Sequence, residues 1–476
     1  MHLSVAQALE SVTGDRATGI ADVLADHFET ADEPKRAVKY LREAARKAYG
    51  FYALESCLAL MDRAFRLINA DAAKFGQDEL EDAVSMQLRC LDMMDRFRPV
   101  IEVSDTWLPR LRTDEGSPTL TLMLILTAKA HCHMSNFAES RQMATDALEM
   151  ATRLGHQRTI AYAKIVLMRA LSDSGLCEIE DVERLFEETR AFTEDLHDPA
   201  IYANRMFHMM AAYRSHGMLR RASEVNDEIE ARGDPYSQTH IYLVGLWNRA
   251  LNAVEANDSH TTISLAETGL AIAPANSEVR LIFEGLKLAA ELALGIPGSL
   301  ERRQAIHDDF LERGELTSRY ATTIQIGFAL FAHGRIWRGW RHLRRIEPMI
   351  EAKGHVETRR FFLLHRAELL LTITGDLKID APAPKLGLAD IAMAIYLRMT
   401  GRRKAEALLG DLLSQFDQPK GLFVARAHTC LGLIFAAANK ADPARESFDL
   451  AERLFRQEGL AAELERLSGI RASTGL

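Results

Sequence analysis

Residues 122–147 read LMLILTAKAHCHMSNFAESRQMATDA. Leu122, Ile125 and Leu126 recur at three- and four-residue steps, the spacing that lines one face of a helix. Ser135 interrupts that pattern and Phe137, Met143, Ala144 and Ala147 resume it, so the stretch reads as two helices joined by a tight turn. A hairpin of this kind leaves apolar faces that only another hairpin can cover, which directs attention to whether it repeats.

It does. Small or turn-forming residues closing an apolar-periodic helix fall at Ser135, Gly175, Gly217, Asn257, Gly295, Gly334, Gly375, Gly401 and Asn439, with separations of 40, 42, 40, 38, 39, 41, 26 and 38. One helix pair with its loops needs about 34–45 residues. Ile324, Phe328 and Phe331 repeat the first-helix spacing before Gly334. Ala128, Ala250, Gly327, Ala394 and Gly432 stand seven residues before their markers, and small residues there let the paired helix approach closely. The single 26-residue interval reads as a repeat that has lost its second helix. The lost piece is placed after Gly375, in a stretch with Pro382 and Pro384, where paired prolines exclude regular helix and leave a loop that could hinge.

Earlier in the chain, Ala21–Ala48 reads as a helix pair turning at Asp32-Glu33-Pro34, with the proline at a helix start where its missing donor costs little. Leu80–Met94 and Val100–Leu111 read as a further pair before the loop Thr113–Pro118. The expected organisation is N-terminal helical repeats at 1–115, a central array at 116–376, a Pro-containing loop at 377–388 and C-terminal helices at 389–476.

Composition agrees. Apolar residues make up 47% of the 476, enough to bury a long core, and 13 prolines are few for that length. The formal net charge of -9 gives no long-range attraction to a nucleic-acid backbone. Cys57, Cys90, Cys132, Cys177 and Cys430 are scattered and odd in number, the pattern of buried thiols in a reducing cytoplasm. Met1–Ala17 lacks a basic-then-apolar leader, and the apolar run Thr119–Ala128 ends at Lys129, well short of the roughly 20 residues a membrane span needs. A soluble protein without membrane partners is expected.

Ala25, Ala37, Leu41 and Ala44, and again Ala444, Phe448 and Ala451, resemble the small and aromatic positions of the tetratricopeptide repeat family. The family's bracketing Trp and Pro are mostly absent. Leu24-Ala25-Asp26-His27-Phe28-Glu29 followed by Ala37-Val38-Lys39-Tyr40-Leu41-Arg42-Glu43-Ala44 is similar to the start of the C-terminal array of bacterial signalling ATPases, including those joined to class III adenylate cyclases. The resemblance implies an all-α, right-handed superhelical solenoid of about ten hairpins. It implies a cytoplasmic scaffold or sensor arm that binds a protein or peptide, with a signalling ATPase or cyclase encoded nearby as a candidate partner. The alternative is the ligand-sensing arm of a transcriptional regulator.

Catalytic constellations are not found. Gly14 and Gly19 have the spacing of a phosphate loop but lead into Ile20-Ala21 rather than a lysine. His131-Cys132-His133 points its two imidazoles about 200° apart on a helix, unsuited to one ion. Glu194 with His197 is a single Glu-x-x-His where a di-iron site needs two, and Met206-Phe207-His208-Met209-Met210 has the spacing of core packing. No enzyme, cofactor or metal is expected.

Partner contact is expected on the first helix of each pair, the wall the family turns inward. The positions carried over are Lys129, Cys132, Tyr162, Arg169, Ser172, Asn204, Phe207, Arg214, Trp247, Leu251, Phe328, Phe331, His365, Arg398 and Arg426. Lys129, Arg169, Asn204, Arg214 and Trp247 are the principal candidates, since cationic and amide groups on a rigid wall suit carboxylate or extended-backbone capture. A second candidate is the basic edge Arg335, Arg338, Arg341 and Arg345, set beside Trp337 and Trp340 and suited to an acidic protein surface or to phosphate.

Overall fold

A computed structural model of the chain describes every residue except 15–18, 52, 114, 175–177, 196–198, 235–238, 256–257, 276, 297, 300, 304, 307, 309–315, 354–355 and 378–385. The described residues form helices joined by short connections, with no strand among them. The fold is an all-α repeat array, and it divides into a first unit, Met1–Leu167, and a second, Met168–Leu476.

In the first unit the helices are α1 (His2–Thr13), α2 (Ala21–Thr30), α3 (Pro34–Gly50), α4 (Leu54–Ala70), α5 (Gln77–Met93), α6 (Phe97–Leu111), α7 (Pro118–His133) and α8 (Phe137–Leu154). Pro34 opens α3 as its first residue and Pro118 opens α7, where the Ser117 hydroxyl caps the Leu120 amide at 2.9 Å. Helices such as α2 and α3 bury one stripe against their neighbours, whereas α7 is buried almost all round. Leu24, Ala25 and Phe28 of α2 face Ala37, Leu41 and Ala45 of α3, and Phe28 stacks on Tyr40 at 5.7 Å between ring centroids. Both helix pairs expected between residues 21 and 111 are present.

After α9 (Gln157–Ser174) the second unit continues with α10 (Ile179–Glu188), α11 (Arg190–Asp195), α12 (Pro199–Ser215), α13 (Leu219–Arg232), α14 (Thr239–Glu255), α15 (Ser259–Ile272) and α16 (Glu278–Ala293). The remaining helices are α17 (Leu316–Ala332), α18 (Ile336–Lys353), α19 (Val356–Thr374), α20 (Leu388–Leu413), α21 (Gly421–Ala437), α22 (Ala441–Gln457) and α23 (Ala461–Thr474).

The forty-residue period is a period of helix C-termini. Ser135, Gly217, Gly295, Gly334, Gly375 and Asn439 all have positive φ, between 56° and 85°. At each, the next residue's amide donates back to a carbonyl five residues earlier, as in Asn136 to His131 at 2.8 Å, Met218 to Tyr213 at 2.8 Å and Lys440 to Phe435 at 2.9 Å. That bond closes the helix and satisfies a carbonyl left open by its last turn. Gly175 and Asn257 lie outside the described residues.

Gly401 is the exception, and the expectation built on it is corrected. It sits in the interior of α20, a 26-residue helix, and packs against Thr374 and Leu370 of α19. The markers of successive hairpins here are Gly375 and Asn439, 64 residues apart, so this repeat is longer than the others and has lost no helix. Its C-terminal part, with Ala405, Leu409 and Leu412 buried, is an ordinary second helix, while the part before Gly401 is an extension. Leu388, Ile391, Ile395 and Met399 step along that extension and stay exposed, Met399 at 82%. Ala394 therefore precedes no turn. Pro382 and Pro384 lie outside the described residues.

The small residues before true markers do meet their second helices. A Cβ on Gly327 would lie 2.4 Å from a Leu343 methyl, and one on Gly432 2.3 Å from the Phe448 ring.

The second unit also closes on itself. The turn at Gly217, after α12, meets the start of α21, where the Leu422 amide donates to the Gly217 carbonyl at 2.8 Å. Arg360 of α19 donates to the Ser215 carbonyl and, at 3.1 Å, to the Gln415 carbonyl, and the Arg220 amide donates to Glu458 Oε2 at 3.1 Å. Repeats more than 140 residues apart in sequence are thus joined by backbone-directed hydrogen bonds.

Candidate functional site

Closure of the second unit gathers charged side chains from five first helices. Arg214, three residues before Gly217 on α12, is only 4% exposed. One of its guanidinium nitrogens donates to Asn248 Oδ1 of α14 at 2.6 Å, and its Nε lies 3.5 Å from Glu357 of α19. Asn248 is itself fixed, its amide donating to the Val244 carbonyl at 2.8 Å.

Further along, Arg426 of α21 grips both oxygens of Glu368 on α19, at 3.0 and 2.7 Å. Glu463 of α23 approaches Arg426 at 4.0 Å and Arg466 at 3.5 Å. Burial resists charge on both partners of the central pair. Their mutual attraction prevails, holding the Glu368 carboxyl below its usual range and the Arg426 guanidinium above its own. His365, one turn before Glu368, donates from Nδ1 to the Phe361 carbonyl at 3.0 Å and stacks on the Phe361 ring at 3.8 Å. Burial, and then the Arg426 charge, push its pKa down to about 4, so it is neutral near pH 7.

Glu255, at the end of α14, is the group left over. Its Oε2 is buried and has no hydrogen-bond partner among the described residues. Burial first, then the neighbouring Glu357 charge, push its pKa up to about 7 against the opposing pull of Arg426 and Arg214. Trp247, Leu251 and Glu255 follow one another at four-residue steps, all half-buried, on one face of α14. Trp247 packs on Phe207 of α12 with ring centroids 4.4 Å apart. The wall is aromatic at one end and charged at the other.

Of the residues singled out by sequence, Arg214, Phe207, Trp247, Leu251, His365 and Arg426 belong to this wall. Phe328 of α17 reaches it through His365, at 6.0 Å between rings. Asn204 is half-buried one turn before Phe207. Arg169 pairs with Asp173 one turn on in its own helix, at 3.2 Å, and Ser172 is buried. Lys129 belongs to the first unit, where its ammonium binds Asp92 at 2.9 Å. Burial disfavours that charge, but Asp92 and Tyr162 raise the pKa overall. Cys132 is buried against the Ser140 hydroxyl at 3.0 Å, and Arg398 is exposed on α20.

Arg335, Arg338, Arg341 and Arg345 are exposed on or beside α18, and none makes an ion pair among the described residues. Trp337 is 43% exposed beside them, and its amide donates to Asp390 of α20 at 2.9 Å. His133 is stacked on Phe97 at 3.7 Å, a packing role, and Met206, Met209 and Met210 are wholly buried. His197 lies outside the described residues. No group of three or more metal-binding side chains occurs among the described residues, and no helix among them is long and apolar enough to cross a membrane.

Asn248, Glu255, Glu357, Glu368 and Glu463 were not singled out by sequence. Their only local signal is an acidic or amide side chain on the inward stripe of a first helix, a pattern shared by many solvated positions. What distinguishes Asn248, Glu357 and Glu368 is the cation opposite, Arg214 for the first two and Arg426 for the third, contributed by a different helix.

No protein-family model matches the chain, and no curated protein matches it. Among solved structures it is similar to the APC/C hetero-tetramer Cut9-Hcn1, at 12% identity over 99% of this chain and 89% of that one, with a TM-score of 0.37. It is similar also to the human IFIT1 dimer with m7Gppp-AAAA, at 13% identity over 92% of this chain and 90% of that one, with a TM-score of 0.34. The human IFIT1 dimer with PPP-AAAA gives 13% identity, 95% and 94% coverage, and a TM-score of 0.31. What the chain binds is therefore read from its own residues.

Proposed function

We propose that the chain is a non-enzymatic scaffold or sensor that binds a protein or peptide along the wall formed by α12, α14, α19 and α21 of its second unit. The observation that carries this reading is the alignment of Trp247, Leu251 and Glu255 on one helix face, with Phe207 and Arg214 supplied by the preceding first helix. An extended chain satisfies its own backbone and side-chain groups against such a wall through a few polar contacts, while the aromatics supply apolar area. No group of three or more metal-binding side chains accompanies the wall among the described residues.

The finer setting, a cytoplasmic bacterial signalling system with an ATPase or cyclase encoded nearby, rests on the motif resemblance at Leu24–Ala44 alone. Arg169 and Asn204 extend the proposed contact surface toward the N-terminal side of the unit. Peptide display against the wild type and against Arg214→Glu and Trp247→Ala variants tests the reading. Enrichment of a common motif that both variants lose is the supporting result. Enrichment unaffected by either variant removes this wall as the binding site.

The basic edge has a separate observation in its favour. Exposed Arg338, Arg341 and Arg345 lie on α18, which packs against α20 with its exposed Leu388, Ile395 and Met399, and an apolar stripe rimmed by unpaired cations suits an acidic amphipathic surface. Salt-sensitive binding lost in an Arg338→Glu, Arg341→Glu variant tests it.

A further inference from the structure

The extension of α20 before Gly401 displays an apolar seam. Leu388, Ala392, Ile395 and Met399 follow one another at steps of four, three and four residues, all exposed, with Ile391 and Tyr396 exposed on either side. One helix pairs with another through that spacing. Met393, Leu397 and Gly401 are buried on the other face, so the helix is already anchored to its own repeat. Leu386, Leu388, Ile391, Ile395, Tyr396 and Met399 are six of the seventeen large apolar side chains that the described residues expose, which makes this a patch rather than scatter.

Alongside runs α18. The Trp337 amide donates to Asp390 Oδ1 at 2.9 Å, and about two turns further on Tyr396 lies within reach of the Arg344 charge and accepts from Lys404 Nζ at 2.9 Å. The two helices are therefore parallel, and the α18 arginines run beside the seam. Arg398, Arg402 and Arg403 stand toward its C-terminal end. Arg344 lies 3.9 Å from Glu347 and Arg402 binds Asp376 at 2.7 Å, but Arg338, Arg341, Arg345, Arg398 and Arg403 make no ion pair among the described residues. Every exposed charge on residues 335–349 and 388–403 is positive.

We propose that this seam is the docking site for an acidic amphipathic helix of a partner protein, with apolar residues at four-three-four spacing and carboxylates along the flank that meets α18. The inference rests on the basic-edge reading above and adds the form and the residue pattern of what the edge binds. Leu388 to Met399 covers about 16 Å of helix, so the occupant needs about three turns. Its apolar stripe covers the seam while its carboxylates answer the unpaired guanidiniums. A second copy of this face brings the same cations and no exposed carboxylate from these segments to meet them. An anionic bilayer takes up a broad apolar face, whereas this one is a single helix stripe bounded by α18 and ended by Arg402 and Arg403.

The test uses the full-length chain and pools of helical peptides five turns long. Each pool carries Leu, Ile, Met or Phe at random in four positions spaced four, three and four apart, with Glu, Gln or Lys fixed along one flank. At low salt the Glu pool is expected to be retained at least tenfold over the Gln and Lys pools, and high salt should remove most of that margin. Ile395→Glu with Met399→Glu, and separately Arg338→Glu with Arg341→Glu, should each cut retention of the Glu pool at least tenfold. Arg445→Gln, exposed on α22, should leave it unchanged. Thermal unfolding of each variant shows that it is folded. A Glu pool with a central proline, which breaks the helix, should fall to background. Equal retention of that proline pool overturns the helical occupant and leaves the basic-edge reading standing. Binding to phosphatidylglycerol–phosphatidylcholine vesicles without retention of the Glu pool does the same and assigns the seam to a lipid surface. Equal retention of the Glu, Gln and Lys pools overturns both, since no acid is then read. A dimer in sedimentation velocity that Ile395→Glu dissolves, with no pool retained, assigns the seam to a second copy and also overturns both, as does binding to none of these probes.

Discussion

Gly217 and Gly421 meet at the point where the second unit closes. A Cβ on Gly217 would stand 2.6 Å from the Leu422 nitrogen, and one on Gly421 would stand 2.4 Å from the His216 carbonyl oxygen. Both residues have positive φ, 72° and 80°, and the obstructing atoms are backbone, which cannot swing aside. Alanine at either position is expected to cost about 2–4 kcal/mol, from the left-handed conformation and the collision together. Gly410, in the exposed interior of α20 with open space around it, is the control, and Gly410→Ala should stabilise by up to about 1 kcal/mol. Urea unfolding of the three variants checks the contrast, and equal effects at all three would mean that the closure contact contributes nothing.

The Arg426–Glu368 pair is buried and bidentate, so removing one partner leaves an uncompensated charge. Arg426→Ala or Glu368→Ala alone is expected to lose about 3–5 kcal/mol. Replacing both, as Arg426→Met with Glu368→Leu, should recover most of that loss. A double-mutant cycle measured by chemical denaturation reads the coupling, and additive losses would contradict it.

Glu255 predicts a pH dependence of the opposite sense to most carboxylates. Its folded pKa of about 7 lies above the ordinary value of 4.5, so the folded state holds this proton more tightly than the unfolded chain does. The stability it contributes is full below pH 4.5 and lost as pH rises through 7, by about 3 kcal/mol at most. Glu255→Gln, which keeps the neutral shape, should therefore raise Tm at pH 8 and change it little at pH 4.5. Differences between variant and wild type isolate this group from His365, whose depressed pKa acts in the other direction by removing stability as pH falls. A Tm difference independent of pH would refute the assignment.

Gly432 of α21 allows Phe448 of α22 to lie flat against the helix backbone, ring carbons standing 2.3–2.8 Å from where a Cβ would be. Gly432→Ala is expected to cost about 1–3 kcal/mol through overpacking. Adding Phe448→Leu should return part of the loss by vacating the ring. Circular-dichroism melts of the single and double variants test it, and a double variant less stable than the sum of the singles would count against a steric cause.

Much of the architecture was legible because it is local. A helix ends where one residue can turn left-handed, and Ser135, Gly217, Gly334 and Asn439 advertise that ability in their side chains or lack of them. Gly401 misled for the same reason. Glycine permits such a turn without requiring it, and here it serves a close approach of α20 to Thr374. In the wall, Arg214, Phe207, Trp247 and Arg426 were reachable from their place in the repeat, whereas Glu255 and Glu368 were not.

Sequence alone determined the helices, their apolar stripes and the period of their turns, all of which depend on residues within one or two turns of one another. Only tertiary structure decided that Gly217 lies on Gly421, that Arg426 holds Glu368, and that Glu255 Oε2 is buried with no hydrogen-bond partner among the described residues. Those relations join distant repeats, and the curvature that brings them together accumulates from small packing angles at every hairpin, which no single stretch of the chain encodes.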